Sequence, residues 1–247
     1  MFMVNSNNII VLIKMNINIF HKIVDAKTKG CYNEIAMKYI GISKNQKKEV
    51  RTMRTIKLGE LVIFIPGLNP TRAEKQSQDK ERIYYDHSSF EVDYYHRYES
   101  IAPIRKATVE NDLALNEGDI VMSNSLQLAA MVSKENVGKV LSLNFTKVKF
   151  NDRLDKRYFL FLFNSYNDVQ RQKERELQGN GVIQRIPLKA LGQMVIPVVP
   201  MEEQIKIGAI YAEASKLQSN INRYAELLVR YTNMILENQL KEGRTHE

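Results

Sequence analysis

The chain has 247 residues, 44% hydrophobic and 26% charged, with one cysteine and four histidines. That is enough to bury an ordinary core, and it excludes a disulfide framework and a multi-thiolate zinc site. The net charge of +8 is concentrated in residues 1–52, where nine Lys/Arg face three Asp/Glu, so the nearly balanced remainder neither demands nor forbids a nucleic-acid partner.

No apolar run reaches the roughly 18 residues of a membrane span. The best, Ile9 to Ile13, ends at Lys14 and is followed by no cleavage pattern, so a cytoplasmic protein without membrane contact is expected. Residues 1–52 form a poorly defined N-terminal extension rich in Asn, Ile and Lys. The stretch from Glu34 to Ser43 has the outline of the first half of a helix-turn-helix. The polar run Lys44 to Glu49 supplies no second helix. The expected form is a loosely ordered extension of the kind an upstream start codon produces, with Met53 opening the patterned chain.

Residues 53–200 read as a mixed α/β domain. Leu61 to Ile65 is a short apolar run closed by the turn pair Pro66-Gly67. Gly118-Asp119 precedes a strand candidate, Ile120 to Ser123, and Val137 to Phe150 alternates as a strand does. Asp155 then opens a nearly continuous apolar stretch, Tyr158 to Phe163, consistent with a buried helix or, on periodicity alone, a buried strand. Asn167 to Leu177 is a polar helix broken by Gly179-Asn180-Gly181. Val182 to Ile186 is extended, Pro187 to Leu191 makes one helical turn, and Val195 to Pro200 leaves in an extended form.

Residues 201–242 carry the clearest pattern. No proline interrupts them, and Glu202, Glu203 and Gln204 fill the first turn after Pro200, where the helix dipole favours negative charge. Apolar residues recur at Ile207, Ile210, Ala214, Leu217, Ile221, Tyr224, Leu228, Tyr231 and Ile235 in alternating steps of three and four. That 3.5-residue period predicts a coiled-coil seam on a helix about 55–60 Å long at about 1.5 Å per residue. Small Ala214 beside broad Tyr224 and Tyr231 suits an irregular or antiparallel pairing. A helix lying along one globular surface is the alternative.

Catalytic patterns are missing. There is no Gly-x-Gly-x-x-Gly or Walker-type loop, and the only Asn-Pro, Asn69-Pro70, lacks the Pro-aromatic continuation of a methyltransferase tetrapeptide. Asp152 with Asp155, and Glu174 with Glu176, read as solvated faces, and Cys31 as no nucleophile. His87 and His96 lie among Tyr84, Tyr85, Tyr94, Tyr95 and Tyr98. Such a stretch either stacks on nucleic acid or supplies partly buried loop aromatics. The expectation is a binding protein with no metal and no cofactor of its own.

Several segments in fixed order carry a resemblance. Lys57-Leu-Gly-Glu-Leu61 and Ile65-Pro-Gly-Leu-Asn-Pro-Thr-Arg72 come first, followed by Leu115-Asn-Glu-Gly-Asp-Ile-Val-Met-Ser123. Leu143-Asn-Phe-Thr-Lys-Val-Lys149 and Leu154-Asp-Lys-Arg-Tyr-Phe-Leu160 come next. The last, Ile186-Pro-Leu-Lys-Ala-Leu191, leads into Ile196-Pro-Val-Val-Pro-Met-Glu-Glu-Gln204-Ile-Lys-Ile207 and the long helix. Over roughly residues 53–242 the chain resembles the specificity (S) subunit of type I restriction–modification systems. The resemblance implies an α+β fold, with a mixed α/β target recognition domain followed by one long coiled-coil-forming helix. It further implies that the chain is not an enzyme but binds double-stranded DNA and directs a separate DNA methyltransferase subunit, where S-adenosylmethionine would be bound. A restriction or translocase subunit is a further implied partner. A full S subunit resembles two such units in tandem with antiparallel helices, so a single unit looks like a half-size form or a gene fragment, and a homodimer through the helix is the expected remedy. The alternatives are a recognition fragment of a fused methyltransferase–nuclease and a coiled-coil adaptor that does not bind DNA.

The resemblance assigns no base-reading residue. By residue type and loop placement, the candidates for DNA contact are Arg72, Lys75, Lys80, Arg82 and Arg105 in the first half of the domain. In the second half they are Arg171, Lys173, Arg175, Asn180, Gln184 and Arg185.

Overall fold

The computed structural model describes residues 54–69, 83–96, 113–179 and 184–242, all within the unit Met53–Glu247. The chain begins with β1 (Arg54–Lys57), a 3-10 turn (Leu58–Glu60) and β2 (Val62–Pro66). Next come β3 (Tyr84–Tyr85), α1 (His87–Tyr94), β4 (Ile120–Ser123) and β5 (Leu128–Met131). A second 3-10 turn (Lys134–Asn136), β6 (Val140–Leu141) and β7 (Phe145–Phe150) follow. Helices α2 (Lys156–Ser165), α3 (Asn167–Glu176) and α4 (Leu188–Gln193), strand β8 (Val195–Val198) and helix α5 (Met201–Glu242) complete the order. The fold is mixed α and β with a long C-terminal helix, as the patterning predicts.

The main sheet runs β2–β7–β4–β5, every pair antiparallel. Side chains alternate across it with period two, and each face carries its own core. On one face Ile120 and Met122 of β4, Ala129 of β5 and Val148 of β7 pack against Tyr158, Phe159, Leu162 and Phe163 of α2. On the other face Val121, Ala130 and Phe145 pack against Tyr85 and Phe90. All four residues of β4 are therefore buried.

The apolar run Tyr158 to Phe163 is a helix because its start is capped. Asp155 Oδ1 accepts hydrogen bonds from the backbone N–H groups of Arg157 and Tyr158, each 2.9 Å, satisfying two donors that a helix start leaves unpaired. Within the tyrosine-rich stretch Tyr85 and Tyr94 are likewise built into the fold, whereas Tyr95 stays 40% exposed. Asp86 caps α1, and although partial burial opposes it, hydrogen bonds from Ser89 and Ser88 and the charge of Lys139 hold its carboxyl down at about 2. Tyr85 is fully buried and donates to Asp93 at 2.7 Å, while Ser133 N–H donates to the other Asp93 oxygen at 2.9 Å. Burial, and then the Asp93 charge, push the Tyr85 hydroxyl far above its ordinary value. Tyr94 stacks on Phe90 with ring centroids 5.8 Å apart. Tyr98 and Cys31 lie outside the described residues.

Strand β1, which has no clear alternation in sequence, pairs antiparallel with β8 and sets Thr55 opposite Pro197. A proline is tolerated there because the ribbon has only two strands. Leu58 N–H donates to Met194 O at 2.8 Å, so the first and last segments of the domain close on each other.

The long helix is fixed to the domain over its first turns. Gln204, 1% exposed, uses its whole amide: Oε1 accepts from Asp155 N–H (2.9 Å), and Nε2 donates to Arg153 O (3.1 Å) and Val199 O (2.9 Å). One turn on, Gly208 sits so close to α2 that a Cβ there would lie 2.7 Å from Arg157 Cβ and from Tyr158 N. Ile207 and Tyr211 pack on the same core, Tyr211 with its ring centroid 5.9 Å from that of Phe161. From Ile221 to Lys241 every residue is exposed.

Two opposed effects meet at Gly208. Alanine gains roughly 1 kcal/mol in helix propensity, while overpacking against a helix backbone costs about 1–3 kcal/mol. Here packing wins, because the obstructing atoms include backbone. Gly208→Ala is expected to lower stability by about 1–2 kcal/mol in urea denaturation, whereas a gain would show that α5 is loosely seated. Gln204→Leu, which strands one buried donor and two acceptors, is expected to cost about 2–4 kcal/mol.

Candidate nucleic-acid interface

One end of the main sheet collects the turns that face outward. The register places Ser123 opposite Phe145 and Leu128, and Pro66 opposite Thr146, so β4, β5, β7 and β2 all turn there. Gly67 follows β2 directly, and a Cβ on it would lie 2.1 Å from Ser142 O, so only glycine lets these strands approach. Leu68 bridges Ser142, and Ile83 O accepts from Val140 N–H at 2.8 Å. The described residues on either side of 70–82 are thus both tied to β6 or the turn after it. On the other flank Gln178 and Arg185 exchange two backbone hydrogen bonds of 2.9 Å across 180–183. Arg185 Nη2 donates to Asn144 Oδ1 at 3.2 Å.

The four-residue tip between β4 and β5 is held from several sides. Asn124 N–H donates to Asn144 O (2.9 Å), and Asn124 Nδ2 donates to Leu143 O (3.2 Å). Asn124 Oδ1 in turn accepts from Thr146 Oγ1 (2.8 Å). Leu126 N–H donates to Ser123 Oγ, and Gln127 Nε2 donates to Asn124 O. Gln127 has φ of 55°, a left-handed conformation that a side-chain-bearing residue keeps only when its surroundings enforce it. An open cleft of about 340 Å³ separates this tip from α3, lined among others by Ser125, Leu126, Gln127, Gln170, Lys173 and Gln184.

Of the candidates for DNA contact, Arg72, Lys75, Lys80, Arg82, Arg105 and Asn180 lie outside the described residues. Gln184 and Arg185 are exposed at the cleft end of the sheet. Arg171 and Arg175 are exposed on one flank of α3, about a third of a turn from the residues that line the cleft. Arg171 pairs with Asp168 at 3.5 Å, and Arg175 Nε donates to Arg171 O at 3.1 Å. Lys173 is placed differently from what its residue type suggests. It is 4% exposed, and its Nζ donates to Gln127 O (2.7 Å) and to Phe163 O (2.8 Å) in the last turn of α2, 4.4 Å from the Phe163 ring centroid. Burial pushes its amine down to about 8. Lys173 is therefore a strut between α2, α3 and the β4–β5 tip rather than a surface charge.

The sequence reading assigned no contact role to Asn124 to Gln127, Leu143, Asn144 or Gln170. Turn-forming Asn124-Ser125 between the apolar runs Ile120 to Ser123 and Leu128 to Met131 is a hairpin signal that would have marked the tip. Among the described residues no group of acidic, histidine or cysteine side chains fits a metal ion, and no helix is long and apolar enough to cross a membrane.

No protein-family model matches the chain, and no curated protein matches it in sequence. Solved structures match in fold. A structure of a type I R-M system, described for its complex assembly and conformational transition, aligns with a TM-score of 0.51 at 14% identity, over 93% of this chain and 56% of that one. The HsdS subunit from Thermoanaerobacter tengcongensis aligns at 0.48 and 14% identity, over 89% of this chain and 51% of that one. The type I restriction-modification S subunit from M. genitalium aligns at 0.41 and 14% identity, over 68% of this chain and 39% of that one. The chain is thus similar in fold to a component of a type I R-M system. This chain spans about half the length of the first solved chains it matches.

The Lys173 strut has a pH signature. Its folded-state value of about 8 lies below the ordinary 10.5, so the unfolded chain binds the extra proton between those values. Stability should rise with pH through that window, by up to about 3 kcal/mol. The neutral amine still has two N–H groups for its two carbonyl acceptors. The check is urea denaturation at pH 7.5 and 10: wild type should gain stability relative to Lys173→Met, and parallel curves for the two would refute the assignment.

Proposed function

We propose that the chain is a DNA sequence-specificity subunit, a non-catalytic cytoplasmic adaptor whose recognition domain binds a target and whose helix docks a separate methyltransferase subunit. The observation that carries this reading is the division between the two faces of α5. Gln204, Gly208, Tyr211, Ala212 and Ser215 point to the domain or line a small cavity beside it. On the far side lie Ile210, Ala214, Leu217, Ile221, Tyr224, Leu228, Tyr231 and Ile235, all exposed. Ile207 alone of the nine seam positions packs on the domain's core. The free seam thus starts one position later than the heptad pattern suggests.

In proteins most of a helix's stability comes from packing an apolar face rather than from intrinsic propensity. The exposed part of α5 carries Leu217 at 61%, Leu228 at 56% and Tyr224 at 68% exposure. Burying each Leu or Ile contributes roughly 1.5–3 kcal/mol. Both facts favour a second helix on this seam. The proposed partner is a second copy of the chain, antiparallel, which places two recognition domains at opposite ends and makes the target an inverted repeat. A methyltransferase subunit, carrying S-adenosylmethionine, then acts where the domains hold the DNA, with a restriction or translocase subunit as an additional partner.

Wild type is expected to sediment as a dimer at micromolar concentration, and the double variant Leu217→Lys, Leu228→Lys as a monomer with at least tenfold weaker binding to an inverted-repeat duplex. A monomeric wild type in the presence of its methyltransferase would overturn the dimer. Methyl transfer by the purified chain alone would overturn the adaptor role.

A further inference from the structure

Two leucines are displayed where a folding chain has no reason to place them. Leu126 is 49% exposed on the β4–β5 tip, and Leu143 is 45% exposed on the turn between β6 and β7. The two turns are neighbours, since the backbone and side chain of Asn124 donate to the carbonyls of Asn144 and Leu143. Single exposed leucines are ordinary. What sets these apart is how firmly the backbone beneath them is held. Thr146 fixes the Asn124 side chain, Ser123 receives the Leu126 N–H, and Lys173 clamps the carbonyl of left-handed Gln127 from a buried position. Phe145 N–H closes the second turn on Ser142 O at 3.0 Å. The hydrogen bonds are spent on the backbone and on Asn124, and the apolar side chains are left outward on a rigid mount. That is the arrangement of a contact whose partner is met after folding.

The setting of the mount selects the partner. Both turns project from one end of a sheet whose two faces are filled by apolar clusters, so a partner can meet them only at the strand ends. Exposed Arg185, oriented by Asn144, stands beside the second turn and supplies a donor for phosphate or a base edge. A leucine cannot read the hydrogen-bonding pattern of the DNA major groove. The apolar feature displayed there is the C5-methyl of thymine.

On the proposed DNA-specificity role, we infer that Leu126 and Leu143 are specificity-determining residues that contact thymine methyl groups in the major groove of the half-site. Lys173 acts as the positioning residue that holds the tip in place.

The test uses the full chain and a pool of random-sequence duplexes, from which the tightest-binding duplex is selected and remade with deoxyuridine replacing thymidine one position at a time. Deoxyuridine pairs normally and lacks only the methyl. Wild type is expected to lose about four- to tenfold in affinity at one or two positions. Leu126→Ala and Leu143→Ala should each bind more weakly and stop distinguishing thymidine from deoxyuridine at the position they read. Ile63→Ala, on the outer edge of β2, should keep the full discrimination. Circular dichroism should show all three folded, because the replaced side chains are exposed. The inference is overturned if wild type binds thymidine and deoxyuridine duplexes equally at every position, or if both leucine variants keep wild-type discrimination. It is also overturned if those variants lose capture of the methyltransferase subunit with DNA affinity unchanged, which would make the tips a protein contact. Failure of the full chain to prefer any duplex from the pool would overturn the DNA-specificity role itself, a result distinct from equal binding of the two bases.

Discussion

The side-chain amide of Gln204 ties the molecule together. It joins the start of α2, the loop before it and the end of β8 to the first turn of α5, through three hydrogen bonds in a site closed to water. A buried amide is costly unless fully paired, and here the pairing is with backbone of three separate segments. Those segments cannot drift apart without breaking bonds that water does not replace. Gly208 removes the remaining freedom by bringing α5 against the backbone of α2. The direction in which the long helix leaves the domain is therefore set by the core and not by a flexible linker. Any function that depends on the distance or angle between the domain and something bound far along the helix rests on this joint.

At the other pole, the sheet separates rigidity from chemistry. Its two faces are filled by two apolar clusters, which leaves no face of the central strands available for a ligand. What is left is the strand ends. There the polar side chains of Asn124, Gln127, Asn144 and Thr146 mostly satisfy one another and the backbone. Such a surface is preorganised, so a partner meeting it would not have to order the turns first.

Much of this architecture was legible in the sequence because it follows from periodicity. The helix from Met201, the alternation of β7 and the Asp155 start of α2 are local signals, and local physics made them. What was not legible is non-local. Arg54 to Lys57 becomes a strand only because Val195 to Val198 returns beside it. Lys173 shows the same limit for the site. A lysine among Arg171, Gln172 and Glu174 in a polar helix reads as a surface charge. Its burial is decided by Phe163 and Gln127, which are close only after folding. The Asn124–Gln127 tip carries a turn signal in Asn124-Ser125 but no glycine or proline, and nothing in its sequence marks Gln127 as the left-handed residue.

Charge completes the physical picture. Outside residues 1–52 the chain is nearly neutral, so net charge there supplies little long-range attraction to a polyanion. On the proposed role, duplication then adds to affinity. Two domains joined through α5 act as one bivalent ligand, and the second half-site is met at an effective concentration fixed by geometry. That gain is lost when the connection cannot span both sites or is too floppy to favour them. The Gln204 joint and the 42-residue helix, about 63 Å long at 1.5 Å per residue, are a stiff connection of defined reach. A weakly charged domain with a rigid arm would thus achieve specificity through spacing as well as through contact.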